Sequence, residues 1–153
     1  MKLFTTGAMF IAVMLAMPGA STAQQDALVT KSGPIVSPMP GKGLVVFFRP
    51  GSLMGAALGC TVHEGETEVA RLGSGKFYAV PVEPGKHLYF TQAETTDRLN
   101  LEVEDGETYF VRCKLGMGIA AGRPNLSPST REEFAGKAKG LSMWKGPKAG
   151  KEG

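Results

Sequence analysis

Four residues in this chain have side chains suited to metal or redox chemistry: Cys60, His63, His87 and Cys113. A metal centre needs three or four ligands that converge. Period-two counting along the expected strands scatters these four. Cys60 and His63 lie an odd number of residues apart on one strand, so they face opposite ways. His87 differs in parity from Leu88 and Phe90, which are expected to face inward, so it is expected to face solvent. No metal site and no cofactor follow. Cys60 and Cys113 both fall on inward faces, and neither belongs to a Cys-x-x-Cys pair that would indicate redox catalysis. An oxidising compartment favours a bridge between them. Two buried free thiols are the alternative, since cysteine is a common core residue.

Other spacings resemble sites only as text. The glycines of 116–121 fit a dinucleotide fingerprint, but that motif needs a parallel strand before it and a helix starting at the glycines. Gly73-Ser74-Gly75 is a turn with no neighbouring general base for a serine nucleophile. Met54, Met117 and Met143 read as loop or gap-filling methionines rather than a soft-metal site. Asn125-Leu126-Ser127 has the letters of a glycosylation sequon, followed at once by Pro128. The carboxylates at Glu64, Glu66 and Glu68, and at Glu102, Glu104, Asp105 and Glu107, fall on turns and strand exteriors as solvating charge. No catalytic residue is expected.

The compartment is read from the N-terminus. Lys2 precedes an apolar run at 8–17, which ends at Pro18-Gly19 and the small residues Ser21-Thr22-Ala23. This is the pattern of a secretory signal peptide, residues 1–23, cleaved after Ala23. The run is shorter than the ~20 residues of a spanning helix, and no later segment is long enough. No cysteine lies near the junction, so no lipid anchor is expected. The chain carries a net charge of +3. Residues 137–153 hold five lysines and one glutamate, so the basic balance is assigned to a tail rather than to a folded patch. A nucleic-acid partner is not expected.

Residues 24–42, rich in Pro, Ser and Gly, read as a flexible linker. From residue 43 short apolar runs alternate with Gly, Pro and acidic turns, the pattern of an all-β antiparallel sandwich of seven or eight short strands. The run 44–49 is continuous, as in a strand buried on both faces. Leu58, Cys60 and Val62 share a face. Strands follow at 67–72, 77–82, 86–91, around Leu99, Leu101 and Val103, and at 108–115, with a last one at 117–121. Tyr109, just after the Asp105-Gly106 turn, is placed to tie its hydroxyl to turn backbone, as in a tyrosine corner. The sandwich domain spans 43–128. A short helix is expected over 129–140, with Ser129 and Glu132 at capping-box spacing and Gly140 as its stop. Residues 141–153 read as a disordered basic tail.

The segments LVVFFRP (44–50), VEPGKH (82–87), GETYFV (106–111) and GRPNL (122–126) occur in order. With them the chain resembles the bacterial envelope family catalogued as domain of unknown function 2846, over about residues 43–135. The resemblance implies a small envelope protein with a β-sandwich fold. Many members are lipoproteins, and this chain departs from them in lacking a lipobox cysteine. The family supplies no activity and no functional residues.

These readings lead to an exported, non-enzymatic binding or assembly module of the cell envelope, periplasmic or secreted, whose partner is an envelope protein or glycan. An enzyme of unfamiliar type and a periplasmic metal or redox carrier are the alternatives. The expected binding surface is the loop 51–59 with Leu53 and Met54. Arg49, His87 and Arg123 are placed on the same surface, where they would favour an anionic ligand if they gathered at one end of the sandwich.

Overall fold

The computed structural model describes residues 27–53, 55–118 and 122–146. Eight strands of five to nine residues build a two-sheet sandwich. They are β3 (Gly43–Arg49), β4 (Cys60–Glu64), β5 (Thr67–Leu72), β6 (Lys76–Val82), β7 (Gly85–Gln92), β8 (Thr96–Val103), β9 (Thr108–Gly116) and β10 (Arg123–Ser129). Three two-residue strands join them: β1 (Val29–Thr30), β2 (Gly33–Pro34) and β11 (Ser142–Met143). One helix, α1 (Arg131–Ala138), follows β10. One sheet has the order β10-β9-β3-β6-β11 and the other β5-β4-β7-β8. Most pairings are antiparallel; β3 with β9 and β6 with β11 are parallel.

β3 explains the layering. All seven of its residues are buried. Val45 and Phe47 enter the core between the sheets, with Val62, Leu72, Tyr89, Val103 and Val111. Leu44, Val46 and Phe48 enter a second core under α1, with Phe77, Phe110, Phe134 and Leu141. An unbroken apolar strand needs cover on both faces, and α1 supplies the outer cover. Phe134 of α1 meets Phe48 edge-on at 5.2 Å and Phe77 at 6.0 Å. Gly43 opens β3 because nothing larger fits. A Cβ there would lie 2.2 Å from Val103 Cγ1 and 2.9 Å from the Glu104 carbonyl oxygen.

The two cysteines form a disulfide between β4 and β9, with Cα atoms 6.6 Å apart. Both are buried, so the bridge fastens the two sheets through the inner core. Tyr109 accepts a hydrogen bond from the Glu104 N–H at 3.0 Å, tying its hydroxyl to the preceding turn.

The edge of β10 is closed. Its outward N–H positions are Pro124, Leu126 and Pro128 by period-two counting. The prolines have no donor, and the Leu126 N–H donates to Asp97 Oδ2 at 2.7 Å. Thr91 Oγ1 donates to the Pro124 carbonyl at 3.2 Å. The edge is thereby tied to β7 and β8 of the facing sheet. At the other margin the Met143 N–H donates to Ser32 Oγ.

Four expectations change. The segment read as a linker docks from residue 27 onward. Leu28 and Ile35 pack on the outer core, and the Lys31 N–H donates to the Leu141 carbonyl. Pro34 ends a tight β1–β2 hairpin, turned by Gly33 at φ 109°, and Pro38 and Pro40 follow it outside the strands. The segment read as a basic tail begins ordered: Leu141 is buried, β11 pairs with β6, and Trp144 meets Tyr78 edge-on at 5.1 Å. The strand that follows β9 is β10, not 117–121. Met117 and Gly118 are not strand, and 119–121 lie outside the described residues. Finally, the helix cap is Thr130, one residue beyond Ser129. Thr130 Oγ1 accepts from the Glu133 N–H, and the Glu133 carboxylate accepts from Ser129 Oγ and pairs with Arg112.

Candidate functional site

The strand ends gather into two poles. At one pole β3 and β9 finish in parallel, and two loops leave from them, described at 50–53 and 55–59 for the first and at 117–118 and 122 for the second. Arg49, expected on the surface, is instead 3% exposed. It sits where β3 ends and turns its guanidinium back under the loop. Nη2 donates to the Gly55 carbonyl at 2.6 Å, and Nη1 donates to the Leu58 carbonyl. Burial lowers its pKa, yet an arginine keeps its charge. The guanidinium is therefore consumed by the loop's own carbonyls and is not free for an anionic ligand. The physical reason is the loop's bend, which aims carbonyl oxygens inward with no strand partner. An all-donor side chain satisfies them.

Arg49 thus holds the loop from below, while Leu53 stands 99% exposed at its crest. Met54 lies outside the described residues. The flank is tied by Ser74: the Ser52 N–H donates to Ser74 Oγ at 2.9 Å. Leu58 lies off β4 and is partly exposed, rather than extending the inward face of Cys60 and Val62. It reaches the second loop, since a Cβ at Gly122 would lie 2.8 Å from Leu58 Cδ1 and 3.6 Å from Leu115 Cδ2. Met117, 80% exposed, stands on that second loop. Sequence reading missed this partnership. The available signal was that neither 50–59 nor 115–122 contains a charged residue.

His87 belongs to the other pole. Its parity is reversed from expectation. Tyr89 and Thr91 of β7 are buried, and His87 shares their face, stacked on Tyr89 at 5.8 Å and 6°. The strand turns this way because Tyr89 fills the inner core edge-on against Phe47 at 4.9 Å. Phe90 instead stacks on the outer side against His63 at 5.4 Å. His87 Nδ1 meets Glu64 Oε1 at 2.6 Å and Nε2 meets the Glu83 carbonyl at 2.8 Å. Burial alone would lower its pKa; the bonds to Glu83 and Glu64, with the Glu64 charge, outweigh it and raise it. Two acceptors on two ring nitrogens favour the imidazolium. Such a ring clamps β4 to the β6–β7 turn. It has no nitrogen left to meet a substrate proton. Burial, then the Glu64 charge, push the Tyr89 phenol far upward, away from acid–base use near neutrality.

Arg123 opens β10 and pairs through Nε with Glu94 Oε2 at 3.2 Å. It borders a shallow groove of about 390 Å³ with Asp97, Lys114 and Asn125. Glu94 lies in the β7–β8 turn, and His87 is five residues down β7 from that turn, roughly 17 Å of strand. Arg49, His87 and Arg123 therefore do not gather at one anion site. The two loops and Arg123 share one pole; His87 and the acidic turns share the other. Among the described residues no group of three His, Cys, Asp or Glu side chains is arranged to hold a metal ion. No described helix is long and apolar enough to cross a membrane.

No curated protein and no solved structure matches the chain. A family model does, from residue 39 to residue 125, which takes in β3 to β9 and both loops of the apolar pole. α1 and β11 lie beyond the match, although Phe134 and Leu141 complete the outer core. With more than half of its length matched, and with the sandwich that its motifs imply, the chain belongs to the family described as protein of unknown function DUF2846.

Proposed function

We propose that the protein is an exported, non-enzymatic binding module of the bacterial cell envelope, and that the pole bearing Leu53, Leu58 and Met117 is its binding surface. The carrying observation is Leu53: a fully exposed leucine on a loop whose base is held by a buried arginine. A flexible connector has no use for such a clamp. A binding loop does, because a pre-ordered loop loses less entropy on association. Export is supported by the N-terminal signal pattern, and the Cys60–Cys113 bridge fits an oxidising compartment. The non-enzymatic reading is supported by His87, both of whose ring nitrogens are engaged within the fold.

The test is capture of an envelope component from a mild-detergent envelope extract by the immobilised exported protein. Leu53→Ser should weaken capture and leave the melting temperature unchanged, since the side chain touches solvent only. Unaltered capture removes this pole as the binding surface.

A further inference from the structure

The two poles differ in charge as well as in polarity. The stretches 50–59 and 115–122 of the sequence hold no charged residue in a chain one-fifth charged. Around them stands a cationic collar. Lys114 ends near the tip of β9 and Arg123 opens β10 beside it. Lys137 and Lys139 close α1, whose end lies at the same pole: a Cβ at Gly75 would lie 3.4 Å from the Gly140 carbonyl and 4.0 Å from Gly51 Cα. Lys114, Lys137 and Lys139 are all exposed. These two helix lysines, assigned from sequence to a tail, are part of the folded surface. The carboxylates nearest the collar are already engaged, Asp97 by the Leu126 N–H, Glu94 by Arg123, and Glu133, which also feels the Lys114 charge, by Arg112 and Ser129.

The opposite pole is acidic. Glu64 and Glu66 lie at the β4–β5 turn, Glu83 follows β6, and Glu104, Asp105 and Glu107 fill the β8–β9 turn. Lys42 is paired there with Glu83, and Lys86 and Arg131 lie at this end too, so the six carboxylates outnumber these three cations. An apolar tip inside a cationic collar, with negative charge at the far end, is a field that turns the molecule tip-first toward an anionic surface.

The geometry points to an anionic lipid bilayer as the surface this pole docks on, with Leu53 and Met117 entering the headgroup region and Lys114, Lys137 and Lys139 facing the lipid charges. The inference rests on the reading of this pole as the binding surface and names its partner. Interfacial anchoring combines buried apolar area with attraction to anionic lipids. Two apolar side chains are a small anchor, so the charge contribution must be large and the binding salt-sensitive.

The experiment is co-sedimentation of the exported protein with vesicles of equal parts phosphatidylcholine and phosphatidylglycerol, against vesicles of phosphatidylcholine alone. Every arm uses the same chain, so its N-terminal segment is common to all. Sedimentation with the anionic vesicles only, abolished by high salt, is expected. Leu53→Ser with Met117→Ser should weaken it at least about tenfold, the loss expected when a leucine-sized burial is removed. Lys139→Gln should cost about fivefold, the worth of one cation at an anionic surface. An unchanged melting temperature in each variant confirms that the fold is retained. Equal sedimentation with both vesicles, or sedimentation indifferent to the paired substitution, overturns the proposal. If vesicles fail while Leu53→Ser still abolishes capture from the envelope extract, the bilayer falls and the binding surface stands. If both fail, the surface itself falls.

Discussion

Removing the Cys60–Cys113 bridge should destabilise the protein through its unfolded state. The bridged residues are 53 apart in sequence. In the chain-entropy model a loop of that size withholds about 14 cal/mol/K from the unfolded ensemble, or about 4 kcal/mol at 25 °C. The perturbation is Cys60→Ala with Cys113→Ala, which leaves no buried polar group behind. A domain of roughly 120 ordered residues unfolds with an entropy of about 250 cal/mol/K. The melting temperature should therefore fall by about 16 °C. Urea titration followed by circular dichroism, beside calorimetric melting, measures both quantities. The urea slope should also rise, because an unbridged chain exposes more surface on unfolding. A loss below about 1 kcal/mol with an unchanged slope would refute the reasoning. It would mean that the inner core already confines the two strands and that the bridge only records their proximity.

Gly43→Ala should cost about 2–3 kcal/mol, because the new methyl meets the Glu104 backbone as well as Val103. Gly59→Ala, with nothing within 4 Å of the new atom, should stay within about 0.5 kcal/mol; chemical denaturation of both variants checks the contrast. The raised pKa of His87 makes its contribution to stability fully present below the unfolded histidine value of ~6.5 and lost as pH rises through the folded value. His87→Gln should remove that pH dependence, and urea midpoints from mildly acid to mildly alkaline pH, wild type against variant, show whether it does.

The parts of the fold written in period two were legible. Leu99, Leu101 and Val103 face in as their alternation says, and 44–49 is buried on both faces. β7 was misread because Leu88, Tyr89 and Phe90 are consecutive large apolar residues, so alternation gives two answers and packing against Phe47 decides. β10 was missed because Pro124 and Pro128 argue against a strand, and they are tolerated only because they sit on the edge of the sheet. At the candidate site the exposure of Leu53 was legible from the glycines and small residues around it. Arg49 was not, because no local pattern tells a solvent-facing arginine from one that folds under its own loop. The pairing of the two loops was hidden for another reason: it depends on the parallel register of β3 and β9, which are far apart in sequence.

That register also sets an order on folding for a chain that arrives N-terminus first. The hairpins β4–β5 and β7–β8 close on near neighbours and can form as they emerge. β3 cannot. Val46 waits for Ala79 on one side and for Phe110 on the other, and its outer face waits longer still, for Phe134. The apolar run 44–48 is therefore among the first parts of the sandwich to be delivered and the last to be sheltered. It is also the kind of segment that pairs with its own copies when left uncovered. The burial that organises the finished molecule makes the unfinished one dependent on dilution, speed or a holding partner until its last third has arrived.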